Sequence, residues 1–262
     1  MDSAKERLAI ENNLFEFFIT IAKSTNCPFY DDGEISWVNC APSPWPKGIM
    51  SARIEDGHLD EKIRLVVDQI KTGSAPRLWM TGPSMRPQDL EQHLKRFGFV
   101  KRSEATGMAI DLSDLKADRD PPSELDIRTV NDEQTLQAWA RIVTVGLFGR
   151  PESDAVHFAR MISGLAKSGK ATLYLGFYGG QAVASSSLFP SNGVAGIYHV
   201  ATLSGFRNKG IGRSITLAPL LKAKTEGFRT AILQASQLGQ SVYEGLGFKE
   251  LSRLGRYWLD QK

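Results

Sequence analysis

The chain has 262 residues and a formal charge of +3, from 32 basic and 29 acidic side chains, with 42% hydrophobic and 23% charged residues. That length and balance belong to a globular protein with one large core or two modest ones, and exclude a disordered, a collagen-like or a membrane-embedded chain. The small net charge argues against an obligate nucleic-acid binder, and the densest early apolar run, Leu14 to Ala22, contains Glu16, is too short to span a bilayer and follows no basic leader.

In chain order, the first clear elements lie late in the first half. Arg77 to Thr81 is strand-like. Pro87 to Phe97 reads as a helix with Leu90, Leu94 and Phe97 on one side, closed by Gly98-Phe99, and Thr106 to Leu112 is strand-like again. Two cysteines, Cys27 and Cys40, make neither a disulfide framework nor a metal cage, so reduced thiols, a cytoplasmic location and no bound metal are expected. The segment from Ser113 to Glu124 is acidic, poor in apolar residues and interrupted by Pro121-Pro122. It reads as a linker (114–123) between a first half, 1–113, and a second half, 124–262.

The second half alternates strand and helix signals. Leu125 to Val130 is a short strand, and Asn131-Asp132 caps a helix reaching about Val145. A helix over Ser153 to Lys167 follows. Ala171 to Tyr178 turns at Gly179-Gly180 into Gln181 to Phe189, and Gly193 to Thr202 is a further strand. A helix from Gly210 to Glu226 carries Ile211, Ile215, Ala218 and Leu221 on one stripe, with a kink expected at Pro219. Arg229 to Ala235 is a strand, Gly239 to Leu246 a short helix and Leu251 to Leu259 a last strand. Hairpins followed by strand–helix–strand imply an α/β (α+β) fold: a mixed, mostly antiparallel central sheet with helices on both faces. Gly98-Phe99 and Gly247-Phe248 stand 149 residues apart. That shift lays 150–262 on 1–113, which suggests an internal duplication in which the first copy lacks a counterpart of 124–149.

Chemistry concentrates at His199-Val-Ala-Thr-Leu-Ser-Gly-Phe-Arg-Asn-Lys-Gly-Ile-Gly-Arg213. A strand runs into a loop carrying Arg207, Lys209 and Arg213 around Gly210 and Gly212, and a helix begins there. Free amides of a first helical turn and the helix dipole favour an anion, and glycines let backbone approach phosphate oxygens. The physical reading is a pyrophosphate cradle; a plain glycine-rich turn with solvated bases is the alternative. Neither the P-loop pattern nor Gly-x-Gly-x-x-Gly is present.

Arg207-Asn208-Lys209-Gly210-Ile211-Gly212 resembles the Arg/Gln-x-x-Gly-x-Gly/Ala signature of the GNAT superfamily of acyl-CoA N-acyltransferases. The run from Leu233 through Tyr243 to Leu246-Gly247-Phe248 resembles that family's second motif. The resemblance covers about 125–262 and implies a GNAT fold, preceded by a truncated, degenerate GNAT-like half as in some tandem members. It further implies acetyl-CoA as co-substrate without a metal. Backbone groups of Val200, Ala201 and Thr202 would pair with the pantetheine arm. Amides from Asn208 to Arg213 would hold the diphosphate, Tyr243 would stand near the CoA sulfur, and Ser236 would take a place where many relatives carry Asn.

The reaction implied is direct acyl transfer to a primary amine in a ternary complex; the alternative is a catalytically idle acyl-CoA-binding sensor. Tyr243 suits a general acid, because a phenol near pKa 10 hands its proton to a thiolate near 8.5 for about 2 kcal/mol. An ordinary packed aromatic is the other reading of the same residue. A backbone amide near Val200 suits the oxyanion. For a general base, His199, Glu152 and His157 are weighed, with His199 expected on the face opposite Val200 and Thr202 and equally readable as packed. The partners implied are a small-molecule or peptide amine, with neither nucleic acid nor membrane, and the oligomeric state stays open. Under the 149 shift, 207–213 fall on His58 to Arg64, which has no glycine and two acids, and Tyr243 falls on Leu94. The first half is therefore expected to bind no acetyl-CoA and to pack on the second, with Trp37, Trp45 and Trp79 as either cleft lining or core.

Overall fold

The structure, a computed structural model, describes residues 3–41, 43, 45–55 and 57–260. The first half contains α1 (Ser3–Ser24), β1 (Phe29–Asp31), β2 (Ile35–Asn39), β3 (Lys47–Ala52), α2 (Leu59–Lys71), β4 (Leu78–Thr81), α3 (Leu90–Arg96) and β5 (Phe99–Asp111). The second contains β6 (Leu125–Thr129), α4 (Glu133–Ile142), α5 (Ala155–Lys167), β7 (Thr172–Tyr178), β8 (Gln181–Ser191), β9 (Val194–Thr202), α6 (Ile211–Thr225), β10 (Thr230–Ala235), α7 (Gln240–Leu246) and β11 (Lys249–Leu259). Each element expected from sequence is present, within a few residues for all but β5. The cap on α4 is a reciprocal pair in which Asp132 Oδ1 accepts from the Thr135 amide at 2.7 Å. Elements before residue 77 had no sequence counterpart.

All eleven strands form one sheet in the order β1-β2-β3-β4-β11-β5-β10-β9-β8-β7-β6. The halves do not simply lie against each other. β5 of the first half inserts between β10 and β11 of the second, antiparallel to both, and β11 in turn pairs with β4. At the centre Leu254 pairs with Ala105. These residues are themselves 149 apart, so each faces its own counterpart and a local twofold passes between them. The same shift lays α1 on α5, β2 on β8, β3 on β9, α2 on α6, α3 on α7 and β5 on β11, while β6 and α4 have no counterpart.

Helices α1, α4 and α5 cover one face of the sheet over a core that includes Ile10, Phe17, Trp139, Phe158, Leu175 and Tyr198. On the other face α6 and α7 pack over Met108, Ile197, Ile215 and Leu246, and α2 and α3 over Ile49, Ile63, Trp79 and Tyr257. The placement divides the three tryptophans. Trp79 is core on the α2/α3 side; Trp37, on the same side, stacks on Tyr30 and lines a surface pocket with Lys62 and Val66; Trp45 packs on the α1/α5 side against Phe17, Phe18 and Phe158.

The cysteines correct an expectation. Cys27, three residues beyond α1, and Cys40, at the end of β2, are disulfide-bonded, with their Cα atoms 5.2 Å apart. The turn after α1 and the β2 end are brought within bridging distance by the fold, which spacing in the chain does not encode. No helix of the described residues is long and apolar enough to cross a membrane.

Helix α6 explains its own internal proline. Pro219 has no N–H for the carbonyl of Ile215, four residues earlier. The buried hydroxyl of Ser186 on β8 donates to that carbonyl at 2.7 Å instead. The lost helical bond is replaced from the sheet, and α6 continues through Pro219 to Thr225.

Candidate functional site: an open cleft between β9 and β10

Strands β9 and β10 run parallel but pair only at Ala195–Ala231 and Gly196–Ile232. Beyond that point they diverge, and among the described residues no backbone hydrogen bond joins Tyr198–Thr202 to β10 or to the turn after it. A splayed pair leaves one edge of β9 with unpaired peptide groups, which need another partner. Val200, Ala201 and Thr202 lie on this edge. The Thr202 carbonyl is already engaged, accepting from Arg207 Nε at 3.1 Å.

A bulge sits at the start of the divergence. Ser185 pairs with Ala201 and Ser187 with Tyr198, so Ser186 opposes both His199 and Val200. His199 takes up the extra residue with φ of +52°. Tyr198 and His199 consequently share the α1/α5 face, and Val200 packs on the α6 face, so the side expected for His199 is the side it occupies. Its ring is buried. Nδ1 shares a 3.1 Å hydrogen bond with Ser187 Oγ, and Nε2 has no partner among the described residues. Desolvation lowers its pKa to about 3, so it is a poor general base near neutral pH. The other two weighed bases stand apart: Glu152 is 66% exposed and 3.5 Å from Arg141, and His157 is half-buried on α5.

At the far end of β9 the loop turns into α6. Asn208 and Gly210 both have left-handed backbone, φ of 61° and 78°. No side chain caps α6, and none of the amides from Asn208 to Arg213 has an acceptor among the described residues. Such an uncapped turn of amides at a helix N-terminus is suited to receive an anion, as the expected cradle would. The bases around it are partly committed. Lys209 lies over the Tyr178 and Phe206 rings at 5.0 and 5.7 Å. Arg207 folds back toward the Thr202 and Gly146 carbonyls. Arg213 ties the 114–123 segment down, donating to the carbonyls of Lys116 and Gly245 and to Asp118 Oδ1. It therefore offers the cradle its amide rather than its charge.

Tyr243 lies on α7, buried beside Phe248, and its hydroxyl has no hydrogen-bond partner among the described residues. Burial raises its pKa above the ordinary phenol value, so it is fully protonated at neutral pH. The ring rests on Gly239, where a Cβ would stand 2.9 Å from a ring carbon and 3.3 Å from the hydroxyl. Gly239 was missed from sequence, although its place four residues before Tyr243 on one helical face is a usable signal. Ser236 begins the turn into α7, its carbonyl accepting from the Gly239 and Gln240 amides.

Two further features escaped the sequence. Val143 to Leu147 extends α4 as a π-helical turn, a form frequent at functional sites. It lies over the end of β9, where a Cβ on Gly146 would stand 3.4 Å from Ala201 Cβ. The consecutive serines 185, 186 and 187, all fully buried, read only as strand. Among the described residues no cluster of three or more His, Cys, Asp or Glu is placed to hold a metal.

This architecture has solved counterparts. A GCN5-related N-acetyltransferase from Kribbella flavida matches 98% of this chain over 96% of its own, with a TM-score of 0.71 at 14% identity. The chain has the GNAT fold. Two other GNAT structures agree: a tandem GNAT protein from the clavulanic acid biosynthesis pathway (TM-score 0.61, 12% identity, 87% of this chain and 79% of that one) and a GCN5-related N-acetyltransferase from Sphaerobacter thermophilus (0.58, 17%, 80% and 71%). No protein-family model and no curated protein matches the sequence. In a GNAT fold that spans both halves, β9, the loop into α6, and α7 are the parts that meet at the opening of the sheet.

Proposed function

We propose that the protein is an acetyl-CoA-dependent N-acetyltransferase that moves an acetyl group directly to a primary amine, with the site in the second half. One observation carries the reading: β9 opens away from β10 and leads into a helix start whose amides from Asn208 to Arg213 have no acceptor among the described residues. The edge of Val200–Thr202, free but for the Thr202 carbonyl held by Arg207, suits an extended amide-bearing arm added like a strand. The uncapped turn, with glycine at 210 and 212, suits a diphosphate. Ser236, at the turn into α7, borders the same opening.

In this reading the Val200 amide faces the thioester carbonyl and stabilises the charge that develops there. Tyr243 protonates the departing thiolate. Its raised pKa keeps the proton on the phenol at neutral pH, makes its transfer to the thiolate costlier than the ~2 kcal/mol of an ordinary phenol, and leaves a strongly basic tyrosinate, which recovers a proton from the acylated nitrogen. Two of the weighed bases are poorly suited to act before the chemistry, since His199 is desolvated and Glu152 is paired and exposed. An amine near pKa 10.4 costs about 4.6 kcal/mol to deprotonate at pH 7 and one near 7.7 about 1 kcal/mol. The site therefore favours an acceptor of low basicity, such as an α-amine.

The test is a panel of amines read by CoA thiol release, with pH–rate profiles for the hits. Turnover with α-amines, rising to a plateau near pH 8, is expected. Acetyl-CoA binding without turnover on any amine, unchanged by Tyr243→Phe, converts the reading to an acyl-CoA sensor.

A further inference from the structure

Strand β9 contains a residue whose environment is too elaborate for a packed side chain alone. His199 holds a left-handed backbone, φ of +52°, which is uncommon for a residue with a side chain and persists where its surroundings hold it. Three contacts do so. Ser185 Oγ donates to the His199 carbonyl at 2.9 Å, Ser187 Oγ bonds its Nδ1 at 3.1 Å, and four aromatic rings enclose the imidazole. Trp45 and Trp139 meet it edge-on, with ring centroids at 4.8 and 5.0 Å, and Phe17 and Phe158 stand at 5.5 Å. Phe17 and Trp45 come from the first half, Trp139 and Phe158 from the second. The third serine, Ser186, donates to the Ile215 carbonyl of α6, and its own carbonyl accepts from Trp139 Nε1 at 3.0 Å. One run of three buried serines thus fixes the bulge, the cradle helix and α4 relative to one another.

The consequence lies in the backbone. Along a regular strand, successive amides alternate between the two neighbouring strands. An extra residue reverses that alternation for every residue beyond it. Whether the Val200 amide faces the opening depends on the bulge staying where it is. A one-residue slip of β9 against β8 would restore a regular ladder and turn it away.

We propose that His199 is a positioning residue, locked by Ser185, Ser187 and an aromatic ring shared by both halves, which holds the β9 bulge in register so that the Val200 amide is presented to an acyl carbonyl. This rests on the acyltransferase reading above. It adds that the first half takes part in the site through Phe17 and Trp45, by fixing the residue next to the reacting atoms.

The experiment needs no knowledge of the acceptor. The carbonyl resonance of carbonyl-13C acetyl-CoA is followed by NMR on binding to the full chain, with affinity from calorimetry in parallel. Hydrogen bonding to an amide moves that resonance downfield. Wild type is expected to show the displacement, Ser187→Ala to lose most of it with affinity little changed and a lowered melting temperature, and His199→Leu to lose it entirely. His199→Asn, whose short polar side chain tolerates left-handed backbone, is expected to recover part of it. Ser187→Ala removes a single oxygen, so the test stands even if His199→Leu fails to fold. With an acceptor in hand, kcat for Ser187→Ala should fall by about 10²-fold, the scale of losing one oxyanion donor, at unchanged KM for acetyl-CoA. A full displacement in Ser187→Ala and His199→Leu, or equal losses of affinity and displacement, overturns the positioning role alone. Failure of wild type to bind acetyl-CoA overturns the underlying reading and this proposal with it.

Discussion

The sheet opens twice, and the two openings have opposite fates. At β9 and β10 the gap is left free. At β3 and β4, which also run parallel and pair only at Ile49–Trp79, the chain refills it. The segment after β4 returns to the β3 side, where the Arg86 amide donates to the Ala52 carbonyl at 3.0 Å and the Ile54 amide to the Arg86 carbonyl at 3.1 Å. A buried carboxylate on α1 pins this plug, since Glu11 Oε2 accepts from the Ser84 amide at 2.9 Å. The first half even keeps the bulge. Ser36 pairs with Ser51 and Trp37 with Ile49, leaving Met50 as the extra residue, 149 positions before His199. The proposed ligand side differs: the start of α2 carries Asp60 and Glu61 where the turn into α6 has Lys209 and Gly210, and Leu94 stands for Tyr243, while Met50 replaces His199 and β6 and α4 are lacking.

The comparison separates what folding requires from what binding requires. A splayed strand pair exposes peptide groups that must be satisfied in any folded state. The first half satisfies them with its own backbone and has no need of a ligand. The second leaves them to solvent or to a partner. Strand order and splay are common to both halves and so belong to the architecture; a bulge recurs too, but only the one at His199 has left-handed backbone. The open edge, the uncapped glycine turn and the tyrosine occur once.

The sharpest way to break this contrast is to exchange matched positions. Tyr243→Phe is expected to lower kcat by about 10²-fold, the usual scale for one general acid. Leu94→Met, at the matching buried position of the first half, should leave turnover unchanged and cost less than about 1.5 kcal/mol of stability. Calorimetry on the same proteins should give one acetyl-CoA per chain. A second molecule bound, or equal losses from the two substitutions, would show that the plugged opening is functional too.

A smaller effect is expected at the cradle. Gly210 has φ of 78° and open space around it except for Pro122, whose Cγ is 3.6 Å from where a Cβ would stand. Gly210→Ala therefore acts through backbone strain rather than collision, about 1 kcal/mol. As the turn relaxes, the amides leave their arc, and acetyl-CoA affinity should drop by roughly fivefold to tenfold. Glu61→Ala, its counterpart on α2, should leave affinity untouched. Equal affinities for Gly210→Ala and wild type in a titration would remove the cradle from the site.

These features were unevenly legible. The second half announces itself because its turns carry Gly-Gly, its strands alternate, and its two motifs stand in order about 30 residues apart. The first 76 residues do not. β1 is three residues long and β2 is buried on both faces, so neither shows alternation. α1 is buried between the sheet and α5, which blurs the stripe that marks a surface helix. The duplication could be glimpsed from two Gly-Phe pairs, but the insertion of β5 between β10 and β11 could not, because periodicity reports which faces are buried and says nothing of strand order. The residues of the proposed site, the glycines at 210 and 212 and Tyr243, stand out in the sequence. Those that hold them, Ser185 to Ser187, Gly239 and Trp45, act through contacts made only after folding. The disulfide escaped for the same reason.

The mildest test concerns how the halves clasp each other. Two arginines occupy related places at the ends of the inserted strands. Arg229, just before β10, donates to Asp111 Oδ2 at the end of β5 at 2.9 Å, whereas Arg77, just before β4, donates to the Leu259 carbonyl at the end of β11. Only the first clasp can titrate. The Ser113 amide, the Arg229 guanidinium and the Ser113 hydroxyl together hold the Asp111 carboxyl at about 2. An unfolded chain takes up this proton near 3.8, and the folded one resists it until about 2. The contribution is therefore complete above about pH 4 and fades as pH falls toward 2. Asp111→Asn should melt slightly below wild type at pH 7, and the two should converge by about pH 2. Arg77→Lys should run parallel to wild type across the same range, because a carbonyl acceptor has no proton to gain. Melting curves of Asp111→Asn and wild type that stay parallel down to about pH 2 would mean that this joint is held by packing of β5 alone, with Asp111 and Arg229 as bystanders.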